Sequence, residues 1–199
     1  MQIEHLNGKI VLEKKLNSLD KFVLDFLSVL NTLEVNYVLV SGYVSILFGR
    51  SRSSEDIDIF IQRLDFKKFE IVWRALYKNF ECINTEDVKE AYEEYLVKDH
   101  ALRFSSVGKF IPNMEVKFPK MELDEWTLEN RKMVVLNKKI LFVSPLELQI
   151  PFKLFLGSEK DIEDAKYLYN LFRDTIDMDL LKEFSRKLKI EDLFKRYLI

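Results

Sequence analysis

The sequence predicts a mixed α/β fold of the α+β type, in which a mixed β-sheet is flanked by helices. Two observations predict it. Before residue 143, short runs alternate apolar with polar residues, which is typical of strands. From Ser144 onward, apolar residues recur every three or four positions, which is typical of helices. We therefore expect an α/β domain over residues 1–143 and a C-terminal helical region, packed on it, over residues 144–199.

The elements of the first region are predicted in chain order. Apolar residues at helical spacing from Leu16 to Leu33 predict an amphipathic helix of about five turns. The β-prone run at 37–40, the first predicted strand, is stopped by Ser41 and Gly42. Beyond them we expect a helix at 44–48, a loop at 49–55 and a strand at 56–61. A helix follows at 66–80, with Cys82 at its end. Strands are expected at 101–107 and 110–118, and a hairpin of 133–136 with 140–143. Residues 85–98 fit neither pattern.

The C-terminal region has recognisable helix starts. Ser144 is suited to cap a helix, Pro145 suits its first turn, and Glu147 completes a capping box. The run beginning at Ser158 repeats this logic for a helix that ends near residue 172. Asp177 opens a third helix, and a last short helix follows.

Composition excludes several function classes. The formal net charge is −2, which argues against nucleic-acid binding by bulk positive charge, although a local basic patch for RNA stays open. The two histidines, His5 and His100, are too few for a histidine-rich zinc site or a Ser-His-Asp hydrolase. Any metal should therefore be a hard ion on oxygen ligands. The basic residues near the C-terminus fit a solvated helix face better than an RNA-binding patch: Lys182, Arg186, Lys187, Lys189, Lys195 and Arg196.

Cysteine usage and hydropathy bear on the compartment. The single cysteine, Cys82, excludes an intrachain disulfide and is expected to be a buried apolar filler in a cytoplasmic protein. The N-terminal residues lack the apolar run of a signal peptide. No window approaches the ~20 apolar residues of a membrane span, so we expect no membrane association.

The stretch VLVSGYVSILFGRSRSSEDIDIFI, residues 38–61, carries the most informative chemistry. Because side chains alternate along a strand, Asp56 and Asp58 are expected on one face. Two neighbouring carboxylates repel each other unless a cation or a base lies between them. Mg²⁺ prefers such oxygen ligands and keeps positions open for phosphate oxygens. The alternative interpretation is a solvated strand start paired with Arg50 and Arg52.

The Ser41–Gly42 pair is a second feature of this stretch. Small residues at a strand-to-helix junction allow phosphate oxygens to approach backbone N–H groups at a helix start. Such a junction next to an acidic strand suits a nucleoside triphosphate with its metal ion.

These residues resemble the DNA polymerase β-type nucleotidyltransferase superfamily. More narrowly, they are similar to its small bacterial and archaeal branch, which includes the AbiEii-type toxins and related stand-alone enzymes. That branch typically reads Gly-Gly-Tyr-Ala, a short helix, and Arg-x-Thr-x-Asp-Ile-Asp. The corresponding residues of this chain are Ser41, Gly42, Tyr43 and Val44, followed by Arg52, Ser54, Asp56 and Asp58.

The resemblance extends into the helical region. The family often reads Ser-Pro-Glu-x-Leu, then a Lys, then Lys-Asp-x-x-Asp, and the matching segments here are 144–148, Lys153 and 160–164. An Arg that is common just before Lys-Asp is replaced by Ser158. The resemblance implies that Lys153 contacts the triphosphate, and that Asp161 and Asp164 orient it or clamp the helix pair. From the residues alone, Lys153 also fits a snorkelling lysine, and Asp161 also fits a helix cap.

A third carboxylate is expected on a later strand, and Glu115 is the best match. Met114, Val116 and Phe118 form the apolar face of its strand, so Glu115 lies on the other face. The family usually has Asp at this place. An exposed strand residue without a catalytic role is the other interpretation.

The resemblance implies a nucleotidyltransferase-like mixed β-sheet and a metal-dependent reaction. Asp56, Asp58 and Glu115 would hold Mg²⁺ or Mn²⁺ and carry the catalysis. The nucleotide, ATP or another nucleoside triphosphate, would be bound by the following residues: Ser41, Gly42, Arg52, Ser54, Lys153 and Asp161. The acceptor would be a hydroxyl of a protein or an RNA, and an antitoxin-like partner would fit the narrower branch.

Two other functions compete with this one. The first is a non-catalytic module that keeps the fold and binds nucleotide or a partner. The second is a glycosyltransferase that uses Asp-x-Asp for a nucleotide sugar, which ranks last because only about 35 residues precede the first predicted strand.

Overall fold

The computed structural model describes residues 2–6 and 8–198. Their strands form one nine-stranded mixed sheet in the order β1-β2-β8-β9-β3-β4-β7-β6-β5. The strands are β1 (Gln2–Leu6), β2 (Lys9–Glu13), β3 (Tyr37–Leu39), β4 (Asp56–Ile61), β5 (Phe80–Cys82), β6 (Leu102–Ser106), β7 (Asn113–Lys117), β8 (Lys132–Leu136) and β9 (Lys139–Val143). The predicted mixed α/β fold is confirmed.

Helices follow or connect these strands. They are α1 (Ser18–Thr32), α2 (Gly42–Leu47), α3 (Phe66–Leu76), α4 (Val88–Glu90, continued by a π-helical segment, Ala91–Leu96), α5 (Glu122–Glu129), α6 (Leu146–Leu156), α7 (Glu159–Phe172), α8 (Met178–Lys187) and α9 (Glu191–Leu198). None of the helices in the described ranges is long and apolar enough to cross a membrane.

The two faces of the central strands differ in polarity. In β4, Ile57, Ile59 and Ile61 are almost fully buried, and the residues between them are not. In β7, Met114 and Val116 are buried on the same side as these isoleucines, because β4 and β7 are parallel and pair Ile57 with Met114. The core therefore lies on one face of β4 and β7, and their polar residues share the other face.

The predicted helix at 66–80 is too long. The helix ends at Leu76, and Phe80 and Cys82 lie on β5, which pairs antiparallel with β6. Phe80 still reaches the core, where its ring packs edge-on against Phe26. The helical spacing of Phe80 predicted one more helical turn, but Phe80 lies on a strand and packs into the same core. Cys82 is buried, as expected.

The helix starts were predicted with mixed success. Ser158 and Asp177 cap α7 and α8, since each side chain accepts a hydrogen bond from a backbone N–H of the first turn. The capping box expected at Ser144 is wrong, because α6 begins at Leu146 without a side-chain cap. The Ser144 hydroxyl instead donates to Gln149 Oε1 at 3.1 Å.

The first 15 residues and the segment before β8 hold elements that the sequence did not predict. Strands β1 and β2 form a hairpin, and β2 joins the sheet parallel to β8. The expectation that the chain's first strand lies near residue 37 is therefore wrong. Helix α5 contacts β3 and β4 from the polar face of the sheet and covers part of that face.

Candidate functional site

The polar face of the central sheet brings three predicted acids together. The parallel register pairs Asp58 with Glu115 and Asp56 with Asn113, and paired positions on neighbouring strands share a face. The register of β6 adds Arg103 beside Glu115. We call Asp56, Asp58, Arg103, Glu115 and Lys117 the sheet cluster.

Cationic side chains already pair with two acids of the sheet cluster, Asp58 and Glu115. Lys117 Nζ lies 2.8 Å from Asp58 Oδ1 and 2.9 Å from Glu115 Oε2. Arg103 donates to Glu115 Oε1 through Nε at 2.8 Å and Nη2 at 2.6 Å. The Asn113 amide donates to Asp56 Oδ1 at 2.7 Å. The ammonium and the guanidinium therefore offset the repulsion between the carboxylates.

Sequence reasoning missed these partners, although a signal was present. Asn113 and Lys117 lie two positions before and after Glu115 on one strand, so alternation alone puts them on its face. Arg103 could not be found this way, because its contact depends on the pairing of β6 with β7.

The ionisation of the sheet cluster follows from these contacts. Partial burial would raise the pKa of Glu115, but hydrogen bonds from Lys117 and Arg103 outweigh it and hold that pKa below its usual value. Burial would likewise lower the pKa of Lys117, but the charge of Asp58 and the Glu115 carboxylate raise it. Glu115 and Lys117 are therefore both charged at neutral pH.

A divalent ion fits one part of the sheet cluster better than another. Asp56 and Asp58 each engage only Oδ1 in the contacts described above, which leaves Oδ2 of each as a hard oxygen donor. Both carboxylate oxygens of Glu115 are ion-paired. Within residues 2–6 and 8–198, no three His, Cys, Asp or Glu side chains are grouped closely enough to hold a metal ion. Asp56 and Asp58 therefore each keep one carboxylate oxygen outside these contacts, whereas Glu115 keeps none.

The Ser41–Gly42 turn lies directly beside the acidic strand. Val40 N–H donates to the Asp58 carbonyl oxygen at 3.0 Å, and Ser41 is the next residue. Ser41 has φ 61° and ψ −135°, a backbone conformation that favours glycine. Gln149 holds this turn, since its Nε2 donates to the Ser41 carbonyl at 2.8 Å and its Oε1 accepts from the Ser41 N–H at 3.3 Å.

Gly42 is required by a close approach of Arg52. A Cβ atom at position 42 would lie 2.2 Å from Arg52 Nη2, which is too short for any contact. The absence of a side chain at Gly42 therefore lets the Arg52 guanidinium cross the start of α2 and reach α7.

A second group of charges ties the loop at 49–55 to α6 and α7. Arg52 donates to both oxygens of Asp164 at 3.0 and 2.9 Å, and Lys153 Nζ lies 3.1 Å from Asp164 Oδ2. Lys153 also donates to Asp161 Oδ1 at 2.6 Å, and Arg50 Nε lies 2.8 Å from Asp164 Oδ1. We call Arg50, Arg52, Lys153, Asp161 and Asp164 the loop cluster.

The loop cluster is deeply placed and well paired. Asp164 is fully buried, and Lys153 is 2% exposed. Burial would raise the pKa of Asp161, but hydrogen bonds from Lys153 and Ser158 lower it below the usual value. Of the residues predicted to bind nucleotide, Arg52, Lys153 and Asp161 meet here. Ser54 lies outside the cluster and donates from its hydroxyl to the Asp56 carbonyl at 2.9 Å.

An apolar pocket lies beside the Ser41 turn, between α5, α6 and the strands β3 and β4. Its volume is about 80 Å³. Phe60, Leu148 and Phe152 supply apolar surface, and Ser41 and Lys153 also line it. Phe60 follows Asp58 by two residues on the same strand face, so the pocket adjoins the sheet cluster. The sequence did not reveal it, because α5 was not predicted.

The comparison with solved structures identifies the fold. An antigenic nucleotidyltransferase-like protein from Paracoccidioides brasiliensis aligns with a TM-score of 0.54 and 16% identity, covering 92% of this chain and 94% of its own. The fold is nucleotidyltransferase-like. The antibiotic-resistance factor ANT(2'')-Ia aligns with a TM-score of 0.55 and 8% identity over 90% of this chain and 97% of its own.

The comparisons of sequence, in contrast, found no match. No protein-family model matches the chain, and no curated protein matches it significantly. The likeness at 8–16% identity is therefore a likeness of fold.

Proposed function

We propose that this chain is a divalent-ion-dependent nucleotidyltransferase. It moves a nucleoside monophosphate from a nucleoside triphosphate to a hydroxyl of a protein or RNA acceptor and releases pyrophosphate. The observation that carries this proposal is the hydrogen bond from Val40 N–H to the Asp58 carbonyl, which puts the Ser41–Gly42 turn beside the Asp56–Asp58 pair. A turn for phosphates and a carboxylate pair for their metal ion are needed side by side in this chemistry.

Asp56 and Asp58 are the proposed ligands of Mg²⁺ or Mn²⁺. When bound, this ion neutralises phosphate charge and polarises the phosphoryl group under attack. The two aspartates would hold it, and Asn113 fixes the orientation of the Asp56 carboxylate by donating to its Oδ1. Lys117 and Arg103 hold the ionised Glu115 carboxylate beside Asp58. Its proposed role as acceptor of the proton from the attacking hydroxyl requires that it release one of these two partners.

The proposed phosphate contacts come from the turn and from the loop cluster. Ser41 offers its hydroxyl and Gly42 its backbone N–H beside the acids, and Arg52 and Lys153 offer positive charge. Ser54 would have to exchange its hydrogen bond to the Asp56 carbonyl for one to phosphate. The loop cluster contains three cationic side chains and two carboxylates, and Glu163 adds a third carboxylate 3.9 Å from Arg50, so the formal charges cancel. A polyphosphate would therefore bind here by replacing a carboxylate partner of Arg52 or Lys153.

The acceptor is proposed to be a protein or an RNA, as in the AbiEii-like branch that the motifs resemble. Exposed apolar residues on the β6–β7 connection, Val107, Phe110 and Ile111, support a protein acceptor or an antitoxin-like partner. This connection leads into Asn113, which contacts Asp56. The basic residues of α8 and α9 support RNA instead.

A second candidate function is a non-catalytic module that binds nucleotide or a partner. The contact that favours it is Lys117 between Asp58 and Glu115, because an ammonium there satisfies acids that would otherwise hold metal. The two functions differ in turnover and not in fold.

One experiment separates them. The protein is incubated with each of the four α-labelled nucleoside triphosphates, with Mg²⁺ or Mn²⁺, and with candidate protein and RNA acceptors. Label transfer that Asp58→Asn abolishes and Glu93→Gln leaves intact supports the enzyme, since Glu93 is an exposed acid on another segment. Mg²⁺-dependent nucleotide binding in calorimetry without any transfer supports the module.

A further inference from the structure

The ammonium of Lys117 lies at the point where two acids of the proposed site face each other. It contacts Asp58 Oδ1 and Glu115 Oε2 at nearly equal distances of 2.8 and 2.9 Å. The side chains are 32%, 26% and 12% exposed for Lys117, Asp58 and Glu115 respectively, so the bridge is partly shielded from water. The ammonium contacts the same two carboxylates that a bridging metal ion would, although a Mg²⁺ ion would lie closer, at about 2.0–2.1 Å.

We propose that Lys117 takes the place of a second divalent ion, so that the site binds one ion, on Asp56 and Asp58, rather than two. This inference rests on the proposed function and concerns the number of ions that the site uses. The covalently tethered ammonium supplies the second positive charge beside the reacting phosphates.

Charge and geometry both support the assignment. Glu115 is bound at one oxygen by Lys117 and at the other by Arg103, so neither oxygen is available without breaking an ion pair. A divalent ion bridging Asp58 and Glu115 would meet the Lys117 ammonium at short range and be repelled by it. The Asp56 side of Asp58 is different, because the amide of Asn113 and not a cation contacts Asp56.

The strand register positions Lys117 for its contacts with Asp58 and Glu115. Lys117 pairs with Phe60, one pleat beyond the Asp58–Glu115 pair, and both neighbouring strands fix Glu115. The side chain of Lys117 therefore needs only to lean back along its own strand to reach both carboxylates. A lysine acts as a point charge toward phosphate oxygens, which suits this role.

The test counts bound ions. Mn²⁺ is titrated into the protein, alone and with a non-hydrolysable nucleoside triphosphate analogue, and free Mn²⁺ is followed by electron paramagnetic resonance. Wild type and Lys117→Arg are expected to bind one Mn²⁺ per chain. Lys117→Met is expected to bind a second ion, with an affinity for it at least about tenfold above that of wild type.

The controls separate this inference from the proposed function. Lys120→Met removes an exposed lysine just beyond β7 and should behave like wild type. Circular dichroism verifies that each variant is folded, and Lys117→Gln replaces Lys117→Met where the latter is not. Two ions bound by wild type, or one ion still bound by folded Lys117→Met and Lys117→Gln, overturns the inference and leaves the proposed function standing. One ion without nucleotidyl transfer to any acceptor overturns the proposed function and leaves the ion count intact.

Discussion

The sheet cluster and the loop cluster contain the same kinds of side chain at different depths. Asp164, at the centre of the loop cluster, has no exposed surface, and three cations surround it. Asp58, at the centre of the sheet cluster, is 26% exposed and meets one ammonium. Burial makes the loss of a partner costly, whereas partial exposure lets water or a ligand replace one. Depth therefore separates Asp164, whose loss should be costly to the fold, from Asp58, whose partner can be exchanged.

The largest expected effect is the loss of Asp164. Asp164→Ala leaves Arg50, Arg52 and Lys153 without their shared buried partner, so the free energy of unfolding should fall by about 3–5 kcal/mol. Urea denaturation measures it. Glu163→Ala, next to it but half-exposed, should change the same quantity by less than about 1 kcal/mol. Equal losses in the two variants would contradict the structural role assigned to burial.

The next effect concerns the path of Arg52. Gly42→Ala forces the guanidinium away from α2, which should lower the free energy of unfolding by about 1–3 kcal/mol. In an Arg52→Ala background the same substitution should cost much less, because the colliding group is gone. A double-mutant cycle by thermal or urea denaturation measures this coupling. Additive losses would show that the close approach does not determine the glycine.

A smaller effect is expected at Asp161, with a defined pH dependence. Its folded pKa lies below the ordinary value of 3.8, so its stabilisation is fully present above about that pH and disappears as the pH falls through the folded pKa. Asp161→Asn should therefore be less stable than wild type by roughly 2 kcal/mol at pH 7. The difference should shrink below pH ~3.8. Urea titrations at several pH values measure the difference in the free energy of unfolding between the two proteins. A difference that grows as the pH falls would contradict the stabilising role of the ionised Asp161.

The smallest effect on stability should come from the sheet cluster. Asp58→Asn removes one partner of a partly exposed ion pair, so the free energy of unfolding should change by less than about 1 kcal/mol. Under the proposed function, the same variant should lose nucleotidyl transfer by roughly 100-fold or more, because the metal ligand is gone. Denaturation and the label-transfer assay are run on the same preparation. A loss of stability comparable to that of Asp164→Ala would remove the distinction between the two clusters.

The sequence predicted those parts of the fold whose signal is local. The alternation of isoleucine and aspartate defined β4, the apolar spacing defined α1, and Ser158 marked the start of α7. It failed where tertiary pairing decides the structure. The edge strand β1 is short and mostly exposed, so its pattern carried little information, and its neighbour β2 has only two buried residues, Ile10 and Leu12.

The candidate site likewise has features that local sequence patterns predict and features that depend on tertiary pairing. Alternation along single strands was enough to put Asp56, Asp58 and Glu115 on polar faces, and their meeting on one shared face depends on the register of β4 with β7. The bridge from Lys117 to Asp58 spans 59 positions in the chain, and no local pattern encodes such a contact. The same holds for Arg52 and Asp164, which are 112 positions apart.

The parallel register of β4 and β7 has a consequence for errors in folding. Successive side chains alternate between the apolar core and the charged face, so a slip of one residue would turn Asp58 or Glu115 toward the interior and a buried isoleucine or valine outward. A chain with the wrong register would therefore expose apolar side chains and bury unpaired carboxylates at the same time. Such chains should be removed by aggregation or by cellular proteases. Substitutions that loosen this pairing would therefore reduce the yield of folded protein rather than the catalytic rate of each folded molecule.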